Sequence, residues 1–498
     1  MAVSKISAPS LGGVTITGVN TSGKTAQFRG LKFANIEKRY DYPTRVDSYS
    51  GEVDATEYGP IPPQPPQIGS PLIRVDQRPP PRPEADEFEC LNLNVMRPII
   101  VKKPLPVIVW IFPGGNFVGS ASDKAYDPTA FVEKSIAKNM PVIFVNINYR
   151  LSLYGFLYMD GRANHGLYDQ LTALQWVKLH IADFGGDPNN ITLIGESAGG
   201  LATHYHSVNE SSKGLFRRIG IMSTVIESRT PRPLDEAQEI VEKAKKFCGV
   251  TTDEEFKAVP IGKLMEAVTS IGGMYGPVDD GGFVGEGPFT DKLPRPEIES
   301  IVLGNCRFEA KTFGPRIQLV PTKQLYTRLL EVPDVGGEFA KMYNINPTED
   351  EENFTNTLVM YDDISYGQPM HNAVVGLRKA GYKTYHYLFD EPNPYLASLD
   401  AHHGVDVMYF FNSYKFDQKY DGFVDIYQTG WIRFANGLSP WGYLDNDRDI
   451  ENVVMLDQSI HEREDGEYEK RRRVATFEKL NEYRGQFDSY DLTKRYLM

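Results

Sequence analysis

The chain has 498 residues, 41% of them hydrophobic and 24% charged, the balance of an ordinary globular protein with apolar material for a large core. Disordered and collagen-like classes are excluded, and a formal charge of -13, from 53 basic against 66 acidic residues, argues against nucleic acid as a partner. Length alone permits about two to four domains, but α/β chains often spend it on one sheet with insertions.

In chain order, the opening MAVSKISAPSLGGVTITG holds no apolar run long enough for a signal sequence, and no later stretch approaches the ~20 apolar residues that span a bilayer. The expectation is a cytoplasmic protein without a membrane span. Residues 59–86 are too proline-rich for helix or central strand and read as an extended surface loop; PPPRP at 79–83 has the form of an SH3 ligand, but a structural role suits it better. Apolar, β-branched runs at 106–112 and 141–149 read as strands buried on both faces. Leu167, Leu171, Leu174, Val177, Ile181 and Phe184 then recur every three or four residues, one face of a helix stopped by Gly185 and Gly186. Residues 191–194 form another apolar strand, so the order strand, helix, strand predicts a βαβ unit in a mainly parallel sheet.

Residues 234–249 are an amphipathic helix ended by Gly249, 384–390 another buried strand, and the mixed charges of 462–474 a solvated helix face. Cys90, Cys248 and Cys306 lie far apart without metal-ligand spacing, and an odd number leaves at least one thiol unpaired. A reducing compartment suits them, and sequons such as that at Asn353 then stay unmodified.

The stretch ITLIGESAGG, 191–200, carries Gly195-Glu196-Ser197-Ala198-Gly199. A Gly-x-Ser-x-Gly pattern is weak alone, but here a strand ends just before the serine, small residues permit a tight turn, and a helix can follow, the context of a nucleophile elbow. The glycine-rich loop after 106–112 offers backbone donors for an oxyanion at Gly114 and Gly115, the other reading being a plain Gly-Gly turn.

Taken together, ECLNLNV (89–95), WIFPGGNFVGS (110–120), NYRLSLYGFL (148–157), GLYDQLTALQWVKLHIADFGGDPNNITLIGESAGG (166–200), KGLFRRIGIMS (213–223) and GPVDDGGF (276–283) resemble the type-B carboxylesterases of the α/β-hydrolase fold, over nearly the whole chain. That resemblance implies one catalytic domain over 1–498: a large, mostly parallel twisted sheet flanked by helices, with the 59–86 loop and helical insertions near 230–270 and 320–380. It implies a serine hydrolase cleaving carboxylic esters through an acyl-enzyme, with Ser197 as nucleophile, Glu309 as acid, His403 as base, and an oxyanion hole from Gly114, Gly115 and Ala198. His402 is the other candidate base, and because Phe308-Glu309-Ala310 departs from the family's Asp-Glu-Gly, a surface carboxylate is the other reading of Glu309.

Further departures bear on substrate. Pro113 replaces the first of three glycines, Asn116 the usual aromatic after them, and Tyr49 a tryptophan common in cholinesterases, which speaks against a choline site. Tyr49, Asn116, Phe117, Glu196 and Phe313 are the candidate pocket residues; Tyr409, Phe410 and Phe411 are pocket or core. Cys90 matches a cysteine that is disulfide-bonded in secreted relatives, yet none precedes it here, so the loop must be held otherwise, as by its prolines. No cofactor or metal is expected, the partner is a small-molecule ester, and monomer and homodimer are both open. Lactone, amide or acyl-transfer chemistry on the same triad, or a non-catalytic binding protein on the same fold, are the alternatives.

Overall fold

In the computed structural model, residues 2–66, 80–272, 275–283, 292–414, 417–484 and 486 are described. The strands, in chain order, are β1 (Val3–Ala8), β2 (Val14–Asn20), β3 (Thr25–Lys32), β4 (Ala34–Asn35), β5 (Thr44–Arg45), β6 (Glu52–Ala55), β7 (Asn92–Pro98), β8 (Leu105–Ile111), β9 (Ile143–Ile147), β10 (Gly186–Glu196), β11 (Arg218–Met222), β12 (Ser300–Cys306), β13 (Thr384–Phe389), β14 (Asn452–Leu456) and β15 (Ser459–Glu462). Among the described residues thirteen of these form one sheet, ordered β1-β2-β3-β7-β9-β8-β10-β11-β12-β13-β14-β15 with β6 beside β2. From β9 to β14 neighbouring strands run parallel, and antiparallel strands flank them on both sides. This is the α/β-hydrolase fold.

Continuous apolar runs mark the centre because helices cover both faces there: every residue of β9, β11, β12 and β13 is buried. The helix His165–His180 buries Leu167, Leu171, Leu174, Trp176 and Val177, and a tighter turn, Ile181–Phe184, carries the chain to Gly185 in the left-handed conformation. β10 begins at Gly186, earlier than the apolar run predicts, because Gly186 pairs with Leu105 ahead of a bulge that ends at Ile191. Buried Arg150 and Asp169, neither side chain exposed, join this helix to the chain after β9 at 2.7 Å.

Helices also occupy much of Leu234–Ile271 and Gly314–Lys379. The second has its own apolar cluster, including Leu325, Leu329, Phe339, Leu358 and Tyr361 with Leu480. Within it, the helix Glu351–Asp362 passes through one wide turn of π type, Asp363–Gly367, into Gln368–Lys379.

One sequence expectation is corrected here, and one left open is decided. The charged run 462–474 is not one solvated helix face. Its helix stops at Arg471; Arg471 and Arg472 clamp Asp390 at 3.1 and 2.8 Å, and Arg473 reaches Asp363 at 2.5 Å and Asp362 at 3.2 Å. Charge alternation at helical spacing predicts solvent exposure only where no buried carboxylate waits for a guanidinium. Tyr409, Phe410 and Phe411 are core, with the Phe410 and Phe411 rings 5.6 and 5.0 Å from that of buried Trp110. All three cysteines are free, and polar bonds hold the ends of the proline-rich segment: Asn92 Nδ2 donates to the Pro60 carbonyl at 2.8 Å, and Arg82 pairs with Asp123. Pro79 of the PPPRP motif lies outside the described residues. Among those that are described, no helix is long and apolar enough to cross a membrane.

Candidate active site

The chain leaves β8 for β9 on one side, then crosses back to β10 on the other. Such a reversal opens a crevice beyond the carboxyl ends of the two strands, where open α/β sheets hold their ligands. Ser197 follows β10 there, at φ 53° and ψ −122°, a conformation that L-residues rarely adopt. Its N–H donates to the Met222 carbonyl at 3.0 Å, which fixes the turn. Glycines flank it for a steric reason. A Cβ on Gly195 would lie 2.2 Å from the Gly199 carbonyl oxygen, and one on Gly199 would lie 2.0 Å from that of Ile111.

Two other strand ends bring the remaining groups. Glu309 stands just beyond β12, and His403 lies between β13 and the helix Val405–Phe411. His403 Nε2 is 2.8 Å from Ser197 Oγ, and its Nδ1 is 2.5 Å from Glu309 Oε2. Glu309 Oε1 accepts the Cys306 N–H at 2.6 Å, so the carboxylate is held at both oxygens. Glu309 is fully buried, and the surface-carboxylate reading is discarded. His402 turns away: its Nε2 lies 2.8 Å from Asn393 Nδ2 and its Nδ1 2.8 Å from the His403 carbonyl.

The loop after β8, whose Ile111 and Phe112 carbonyls lie against Gly199, runs on through Gly114 and Gly115 at φ 118° and 65°. The Gly114 carbonyl accepts the N–H groups of Phe117 and Val118, and a Cβ on Gly114 would fall 2.0 Å from the Val118 oxygen, so only glycine closes this turn. Among the described residues the N–H groups of Gly114, Gly115 and Ala198 donate to no acceptor. Ala198 opens the helix Ala198–Val208, whose positive dipole end adds to them.

Carboxyl groups surround the imidazole. Glu196 Oε1 lies 3.2 Å from His403 Nε2, and Asp406, held by the Tyr387 hydroxyl at 2.8 Å, adds its field. Burial opposes a charged ring, but Glu196 and then Glu309 outweigh it and raise the His403 pKa to about 9. Burial pushes Glu196 up to about 8, with His403 opposing the rise. Asp406 rises to about 7 through burial and the Glu309 charge.

The candidate pocket residues fare differently. Phe313 sets its ring 5.5 Å from His403. Phe117 stacks on Tyr275 at 5.9 Å, and Asn116, 4% exposed, donates to the Tyr275 carbonyl at 3.2 Å. Glu196 is fully buried against His403 and offers no surface to a substrate. Tyr49 is not brought to the cluster: its N–H bonds Leu11 and its hydroxyl Lys32 at 2.8 Å, on β3, four strands along the sheet from β10. Sequence reasoning missed Tyr366, whose ring lies 5.1 Å from His403 and stacks on Phe313. It comes from the wide turn at 363–367, which no periodicity marks.

Residues 5–452 match the profile of the Carboxylesterase family. The chain is 32% identical over 461 residues to Lipase 3 of Yarrowia lipolytica (strain CLIB 122 / E 150), covering 87% of this chain and 89% of that one. It is 35% identical over 226 residues to the para-nitrobenzyl esterase of Bacillus subtilis (strain 168), 44% of this chain and 43% of the other. Among solved structures, the carboxylesterase of Geobacillus stearothermophilus superposes with a TM-score of 0.76 at 26% identity, over 95% of this chain and 99% of its own.

Proposed function

We propose, from the premise that this chain belongs to the carboxylesterase family and is a carboxylic-ester hydrolase, that it works through a covalent acyl-enzyme on Ser197. The observation that carries this reading is the unbroken line Ser197 Oγ, His403, Glu309, with contacts of 2.8 and 2.5 Å. In the first half-reaction Oγ adds to the ester carbonyl carbon while its proton passes to Nε2. Negative charge collects on the former carbonyl oxygen, where the N–H groups of Gly114, Gly115 and Ala198 receive it. The tetrahedral state collapses, the C–O bond to the alcohol breaks, and His403 returns the proton to the departing oxygen. Water then repeats the sequence on the acyl-serine: it adds to the carbonyl as its proton passes to His403, and as the bond to Oγ breaks His403 returns that proton to Oγ, releasing the acid and free Ser197.

Glu309 keeps the ring in the tautomer with Nε2 free and supports the imidazolium as it forms. The aromatic groups beside the imidazole, Phe313 and Tyr366, favour esters with an apolar or aryl part.

Treatment with a fluorophosphonate, followed by intact mass and peptide mapping, tests this. One adduct on Ser197, abolished in Ser197→Ala and greatly slowed in His403→Ala, is the expected result. A folded protein that hydrolyses aryl esters without an adduct on Ser197 would sink the assignment. A folded protein with neither adduct nor hydrolysis would contradict catalysis at this site altogether.

A further inference from the structure

Gln64 lies in the proline-rich segment, far from the catalytic groups in sequence, yet its amide closes on the loop that carries two oxyanion donors. Its Nε2 donates to the carbonyls of Gly119 and Pro62, each at 3.0 Å; its Oε1 accepts the Gly119 N–H at 3.0 Å and Arg82 Nη1 at 3.2 Å. Only one orientation of the amide satisfies all four contacts, since a flip sets donor against donor and acceptor against acceptor. Gly119 is thus paired through both its N–H and its C=O, as a neighbouring strand would pair it.

The place of this clamp matters. Gly119 sits at φ 127°, and a Cβ there would fall 2.6 Å from the Phe112 ring and 2.9 Å from the Pro113 carbonyl oxygen. The chain therefore folds back at Gly119 onto the residues just before Gly114 and Gly115. Whatever holds Gly119 closes the turn on which those N–H groups are mounted. Arg82 locks the clamp from outside: its Nε and Nη2 take the two oxygens of Asp123 at 2.6 and 2.7 Å while Nη1 holds Gln64. The Asp123 N–H in turn donates to the Ser120 carbonyl at 3.2 Å, so the tether reaches the far end of the same loop. With all three cysteines free, polar contacts do this work without a disulfide.

We propose that Gln64 is a positioning residue for the oxyanion donors Gly114 and Gly115, its amide locked by Arg82 and Asp123; this rests on the reading of Ser197 as the nucleophile. Because the oxyanion develops only in the tetrahedral state, loosening the loop lowers kcat and leaves substrate binding alone.

Gln64→Met keeps the side-chain volume and removes every polar contact of the amide. Its kcat on a neutral aryl ester is expected to fall about tenfold to a hundredfold, the range in which small displacements of positioned groups are felt. KM and the pH midpoint of kcat/KM stay as in the wild type, since the His403–Glu309 pair is untouched. Affinity for a trifluoromethyl ketone, which forms an oxyanion on the serine, falls by the same factor as kcat. Gln64→Glu keeps the acceptor for the Gly119 N–H, loses the donor to its carbonyl, and lies between the two. Wild-type kcat and inhibitor affinity in Gln64→Met, or a change confined to KM, would overturn the proposal. Should Gln64→Met fail to fold, Gln64→Glu decides by the same readouts. The reading beneath is tested separately: a wild type that takes a fluorophosphonate on Ser197 keeps the nucleophile assignment whatever the Gln64 variants do.

Discussion

Exchanging Glu196 for glutamine removes one carboxylate from beside His403 at nearly constant volume, and the pH dependence of kcat/KM is where the loss is read. Oε1 lies 3.2 Å from Nε2, with neither side chain more than 1% exposed. Burial pulls the imidazole pKa down, but Glu196, ahead of Glu309, carries it to about 9. In the proposed mechanism the neutral ring acts as the base, so activity should be low in acid and climb as pH passes through the ring's pKa, with a midpoint above the reference of about 6.5. Two full charges at this separation, 3.2 Å, interact by about 5 kcal/mol at an effective dielectric of ~20, equivalent to roughly four pH units. That is a ceiling. Burial lifts Glu196 itself to about 8, so near neutrality it carries only part of a charge. The expected result is a midpoint lowered by about one to two pH units, within the usual span for a neighbouring opposite charge. Initial rates on a neutral aryl ester from about pH 5 to 10, wild type against Glu196→Gln, measure it. A midpoint that stays put or rises would refute the coupling of Glu196 to His403.

Three further outcomes are expected. Glu309→Gln leaves the geometry but loses the tautomer, and kcat should drop on the order of 10⁴-fold; a loss under about tenfold would mean another group orients the ring. Asp169→Ala strands the fully buried guanidinium of Arg150 and should cost about 3–5 kcal/mol in urea unfolding; an unchanged midpoint would show that the site rehydrates. Gly199→Ala places a Cβ 2.0 Å from the Ile111 carbonyl oxygen, so β8 and the helix after Ser197 must part. A loss of about 1–3 kcal/mol with slowed fluorophosphonate labelling should follow, and wild-type labelling would deny that this contact sets the turn.

How much was legible varied with how local each determinant is. The strands at β8, β9 and β13 and the helix after β9 were visible because burial on both faces, or on one helical stripe, writes itself into consecutive residues. The turn at Ser197 was visible in part for the same reason: a Cβ on Gly195 would meet the Gly199 carbonyl oxygen only four residues on, whereas Gly199 is demanded by Ile111 on a neighbouring strand, a contact that only the fold creates. The arginine run at 471–473 misled, since the partners that draw it inward, Asp390 and the pair Asp362 and Asp363, lie eighty or more residues earlier. Tyr49 misled too, because its place in a motif says nothing of which carbonyl its hydroxyl will find.

By itself the sequence determined the parallel sheet, through runs of apolar residues separated by a helical stripe, and the small-residue turns at Ser197 and after β8, through the glycines such turns require. Only the tertiary structure decided that His403 and not His402 faces Ser197, that Glu309 is buried behind it, and that Glu196 sits beneath the ring rather than in a pocket. Those outcomes depend on the strand order, which brings the ends of β10, β12 and β13 to one edge of the sheet. No local pattern carries that order, because it is set by which distant surfaces bury one another.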